Sequence, residues 1–127
     1  MKSFAAGVVI AGPEGDVGIA ALSDVGGSGS AMLDIWSIPD EHAHRRIEEV
    51  IVELIASAFG VSGIRSLYHE RFEGDPWLLG ATEPLWRTQV VFPEFASIDG
   101  RYETRTQRVL WRSEFEATFH QDVEVLP

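Results

Sequence analysis

The segment AMLDIWSIPDEHAHRRIEEVIVELIASAF, Ala31 to Phe59, contains no glycine. Its first part is apolar and bounded by Pro39, which predicts a β-strand over 31–38. Its second part predicts an amphipathic helix over 40–59, with Asp40 as N-cap. A strand running into a helix of this kind commonly turns on glycines, whose bare backbone lets N–H groups close around an anion at the helix N-terminus. Here the turn and first helical turns hold His42, His44, Arg45, Arg46, Glu48 and Glu49 instead. The segment therefore fixes an architecture and departs from the chemistry that architecture commonly supports.

Within the helix, Ile47, Val50, Ile51, Leu54, Ile55 and Ala58 recur at helical spacing as one apolar stripe. Gly60 and Gly63 then supply the C-cap and turn. Upstream, apolar runs Phe4–Ala11 and Val17–Asp24 flank Gly12-Pro13-Glu14-Gly15-Asp16, a hairpin signal. A flexible tract, Gly26 to Ser30, follows. Downstream, Ile64–Phe72 reads as a strand, and Asp75-Pro76 as the start of a short helix through Trp77, Leu78 and Leu79. Trp86–Phe92 reads as a strand. Asp99-Gly100 marks a turn into a long last strand from Arg101 to about Phe115. Residues 1–118 are expected to form one domain, and 119–127 a loosely held acidic tail. The element order β-β-β-α-β-α-β-β implies an α/β (α+β) layer fold, with a mixed, twisted sheet flanked by helices.

At 127 residues and 45% hydrophobic content, the chain suits a single core. The absence of cysteine excludes disulfides, thiol catalysis and thiolate metal sites. A net charge of −10, from 20 acids against 10 bases, opposes nucleic acid and anionic membrane as partners. No apolar run has the length of a membrane span, and the start is a poor signal peptide, so a cytoplasmic location is expected.

The order of elements resembles the GNAT N-acetyltransferase superfamily. The stretches that carry the likeness are FAAGVVIAGPEGDVGIAAL, LDIWSIPDEHAHRRIEEVIVELIASAFG, GIRSLYHERF and FASIDGRYETRTQRVLWRSEF, nearly the whole chain. The resemblance implies that strands 31–38 and 64–72 lie adjacent and parallel and splay into a V-shaped gap for acetyl-coenzyme A. It also implies that backbone at Ser37 and Ile38 grips the pantetheine arm, and that Asp34 takes a proton from an amine. This sequence departs from the family pattern in three respects. Only three residues precede Phe4, where the family places a strand and two helices. The glycine signature for the pyrophosphate is missing. No tyrosine lies between Tyr68 and Tyr102 to act as general acid toward the thiolate.

Each candidate residue also has a plainer role. His44, Arg45 and Arg46 oppose the helix dipole, which a bound anion would relieve through the arginine forks. The alternative is a solvated face with Arg45 paired to Glu49. Asp34 is either a buried base or a surface aspartate. His42 and His44, two apart on a helix, do not share a face, so no metal site is expected. Arg101, Arg105, Arg108 and Arg112 suggest pairing with acids elsewhere. Trp36, Trp77, Trp86 and Trp111 suit core or interface anchors.

The sequence thus leads to a GNAT-like protein with a degraded acyl-coenzyme A site, acting as a non-catalytic or weakly active binding module. Acetyl-coenzyme A is not expected to bind tightly. An active N-acetyltransferase completed by a partner subunit stays open as the alternative. The expected partners are a second copy, forming a homodimer, and a small molecule or a protein.

Overall fold

The computed structural model describes residues 3–24, 29–61 and 63–124. The tract expected to be flexible falls largely outside these residues, as do the last three of the expected tail. Strands β1 (Ser3–Gly12), β2 (Gly15–Asp24) and β3 (Ser30–Ser37) lead into helix α1 (Glu41–Phe59) and then β4 (Ser66–Phe72). A 3₁₀ helix (Gly80–Leu85), β5 (Arg87–Ile98), β6 (Arg101–Trp111) and helix α2 (Arg112–Glu124) complete the order. The six strands form one mixed sheet in the order β1-β2-β3-β4-β6-β5. Only β3 and β4 pair in parallel, as expected for strands joined by a helical crossover.

Local sequence accounts for each junction. Asp40 has extended backbone, and its side chain accepts a hydrogen bond from Ala43 N at 3.1 Å, which starts α1. Asp99 (φ 50°) and Gly100 (φ 78°) form the two-residue turn between β5 and β6, where both centres need left-handed backbone. On β3, Ala31, Leu33 and Ile35 are buried while Asp34 and Trp36 are exposed. The register places Ala20 opposite Ile35 and Leu22 opposite Leu33, so these residues share the face that receives α1. From α1, Ile47, Ile51 and Ile55 are fully buried there.

Two sequence expectations are corrected. The short helix from Asp75 through Leu79 is absent: Leu78 takes φ 61°, and the helical turn begins only at Gly80. Leu78 and Leu79 are both buried. An α-helix would point neighbours about 100° apart, so irregular backbone serves two adjacent core side chains better. The last strand stops at Trp111 rather than near Phe115, and α2 takes up Phe119 to Glu124. Phe115 is fully buried, 5.5 Å from the Phe59 ring, and stacks on Phe119 at 5.2 Å. A helix brings residues four apart together on one face; a strand of that length would spread them.

Contacts with α1 place α2 and the 3₁₀ helix on the α1 side of the sheet. The opposite face carries a row in register across three strands, Val9, Ile19 and Trp36, exposed at 60%, 44% and 59%. Among the described residues no helix covers it, and no helix is long and apolar enough to cross a membrane.

Candidate functional site

The β3–β4 ladder ends almost where it begins. Ser30 pairs with Ser66, Ala31 with Leu67 and Met32 with Tyr68; beyond them the two strands continue without pairing to each other. A gap therefore opens toward their C-terminal ends, on the edge of β3 where the carbonyls of Leu33 and Ile35 point. Side chains of β4 fill it. His69 Nδ1 lies 2.8 Å from Leu33 O, and Arg71 Nη2 donates to Ile35 O at 2.8 Å.

His69 is 1% exposed, and its Nε2 lies 3.3 Å from Trp77 O. Burial, reinforced by the Arg71 charge, lowers its pKa to about 4 despite hydrogen bonds that favour the cation. The ring is thus neutral near pH 7. The shorter contact assigns the proton to Nδ1, donated to Leu33. Trp77 and Trp86 pack edge-on against it, at 5.7 and 6.0 Å between ring centres.

Arg71 is half-buried. Burial lowers its pKa, opposed by the charges of Asp75 and Asp34. It forms no ion pair among the described residues, and its Nε is buried without an acceptor. Beside it, Glu70 accepts from Arg105 Nε and Gln107 Nε2, each at 2.6 Å. Burial acts to raise the Glu70 carboxyl, but those hydrogen bonds and the Arg105 charge hold it below the usual range. Arg105 also lies over the Phe72 ring at 4.8 Å.

These groups border a cleft of about 280 Å³ that includes Ile19, Asp34 and Trp36. Asp34 is exposed here, its carboxylate free of hydrogen bonds to any described residue. The arrangement offers fixed charges of both signs beside an apolar wall, which suits recognition of a small charged molecule.

The remaining predicted residues lie elsewhere. Ser37 Oγ donates to Ile38 O, and Ile38 N donates to Val17 O, tying the end of β3 to β2. His44 and Arg45 border a separate depression with Pro76 and Trp77. Arg46 reaches the other way, its Nε donating to Ala11 O at 3.0 Å. The cationic cluster is therefore divided between two sides of α1, and none of it reaches Asp34's cleft. The carboxylate of Asp40 takes up one first-turn N–H, that of Ala43, which a bound anion would otherwise use. Among the described residues no group of His, Asp and Glu is arranged to hold a metal ion.

The expected pairing of arginines with acids is present. Arg105 meets Glu70, Arg108 lies 4.0 Å from Glu83 and over Trp77, and Arg112 bonds Glu116 one turn on. Sequence reasoning missed His69, Arg71 and Asp75. The available signal was two polar residues alternating on one face of the strand next to the expected splay.

The parallel, splayed pair within a mixed sheet defines a class: the chain has the fold of the GNAT N-acetyltransferase superfamily. A mutant form of spermidine N-acetyltransferase SpeG from Vibrio cholerae matches with TM-score 0.70 and 18% identity, over 86% of this chain and 66% of that one. A GCN5-related N-acetyltransferase from Brucella melitensis matches with TM-score 0.65 and 19% identity, over 90% and 53%. A probable acetyltransferase of the GNAT family from Chromobacterium violaceum matches with TM-score 0.70 and 13% identity, over 90% and 62%. The chain thus spans between 53% and 66% of these three solved chains. No family model and no curated protein matches the sequence.

Proposed function

We propose that this protein is a GNAT-fold binding module for a small molecule, in which the acyl-coenzyme A site is closed. The observation that carries the reading is the filling of the β3–β4 gap: His69 and Arg71 engage the carbonyls of Leu33 and Ile35, on the edge a pantetheine arm would need. Three further features support it. The turn before α1 lacks glycine, Asp40 caps the helix with its own carboxylate, and Arg46 is engaged by β1. Coenzyme A fits these residues poorly. The reading is tested by incubating the protein with acetyl-coenzyme A and a panel of amines, spermidine included. Thiol release is expected to stay at the uncatalysed rate; amine-dependent release above it would refute the reading.

One observation favours an active acetyltransferase completed by a partner subunit. Asp34 stands in the cleft next to the splay, on a face open to a second chain. In that case Asp34→Asn would abolish any turnover found.

A further inference from the structure

The cleft beside β3 holds an unbalanced set of charges. Glu70 and Arg105 form a closed pair and contribute no net charge. Three groups are left: the carboxylates of Asp34 and Asp75 and the guanidinium of Arg71. Both carboxylates are exposed, without ion pairs or side-chain hydrogen bonds among the described residues. Both lie near enough to Arg71 to favour its charge, yet neither forms a salt bridge with it. Arg71 spends one nitrogen on Ile35 O, and its Nη1 makes no hydrogen bond to a described residue. Ile19 and Trp36, 44% and 59% exposed, form an apolar wall alongside.

A ligand complementary to this set carries two cations and one anion on a short apolar stem. A simple anion would meet two uncompensated carboxylates, and a simple diamine would meet Arg71. We propose that the cleft binds a free dibasic α-amino acid of the lysine type, its carboxylate on Arg71, its two ammonium groups on Asp34 and Asp75, and its methylene chain along Ile19 and Trp36. This rests on the reading of the cleft as a small-molecule site. The carboxylate takes donors that Arg71 has to spare, by the charge-assisted bonding guanidinium groups favour. The methylene stem shields the exposed indole, and an ammonium near its face gains from the ring quadrupole.

The test titrates the full chain with L-lysine and three analogues that each lack one charge: cadaverine without the carboxylate, 6-aminohexanoate without the α-ammonium, and L-norleucine without the side-chain ammonium. Calorimetry reads the affinity, and a change in tryptophan fluorescence lost in Trp36→Phe places the ligand. Lysine is expected to bind about tenfold or more tighter than each analogue. Arg71→Met is expected to erase the difference between lysine and cadaverine. The exposed changes Asp34→Asn and Asp75→Asn, which leave the core untouched, are each expected to weaken lysine about tenfold. Absence of lysine binding, an analogue binding as tightly as lysine, or lysine affinity unchanged from the native chain in either aspartate variant would overturn the proposal. A parallel titration with acetyl-coenzyme A separates the two readings. Tight binding there removes the closed-site reading alone, and a silent lysine titration removes the amino-acid site alone.

Discussion

His69 Nδ1 and the Leu33 carbonyl oxygen stand 2.8 Å apart across a stretch where β3 and β4 share no ladder bonds. One side chain thus replaces the backbone pairing that the splay removes, and it does so in the neutral state. The folded pKa of about 4 lies below the ordinary histidine value of 6.5, so on acidification the unfolded chain takes up the proton first. The contribution of His69 to stability is therefore full above about pH 7 and is lost as pH falls from 6.5 toward 4. Between pH 7.5 and pH 5 this amounts to about 2 kcal/mol. Urea unfolding at the two pH values should show that loss in the native chain and a flatter dependence in His69→Leu. Equal losses in both would contradict the assignment.

Gly80 sits at φ 51°, and a Cβ there would lie 2.6 Å from Glu48 O and 3.1 Å from Ile51 Cγ2. Gly80→Ala is thus strained in its backbone and forces the 3₁₀ helix away from α1. Thermal or urea unfolding should register a loss of about 1–3 kcal/mol. A variant as stable as the native chain would show that this contact is loose.

The central crossover was legible because its determinants are local. Asp40, the stripe from Ile47 to Ala58, and Gly60 each act within a few residues, so the ends and buried face of α1 follow from spacing. The Asp99-Gly100 turn is legible for the same reason. The stretch from Asp75 to Leu79 was not, because burial of adjacent Leu78 and Leu79 against α1 overrides the helix-start signal of Asp75-Pro76. The end of β6 was misjudged for a similar reason. Phe115 turns into the core because the Phe59 ring, far upstream in sequence, receives it, and Phe119 stacks on Phe115 in turn. The site was the least legible part. His69 and Arg71 matter through carbonyls of a strand far away in sequence, and nothing local to HERF reports that those carbonyls lack ladder partners.

The Asp40 cap predicts a measurable cost. Asp40→Ala removes the acceptor for Ala43 N and should destabilise the chain by about 0.5–2 kcal/mol in denaturant unfolding. Asp40→Asn, which keeps an acceptor oxygen, should recover most of it. No difference between the two variants would show that the cap bond contributes little.

Strand β1 is an edge of the sheet and carries Val8 and Val9, 45% and 60% exposed, which predicts self-association along that edge, clear of the cleft beside β3. Light scattering at micromolar concentration should return a dimer mass, and Val9→Lys should shift it to that of the monomer. A monomeric mass for the native chain would contradict the expected homodimer.

The closed gap is tested most directly by calorimetric titration with acetyl-coenzyme A, comparing the native chain with a His69→Ala, Arg71→Ala double variant that frees the carbonyls of Leu33 and Ile35. A closed gap predicts no binding heat for the native chain at micromolar to submillimolar ligand. Any binding should emerge only once the two side chains are removed. Micromolar affinity in the native chain, abolished by Arg45→Ala with Arg46→Ala, would contradict it and make the acyltransferase reading the leading one.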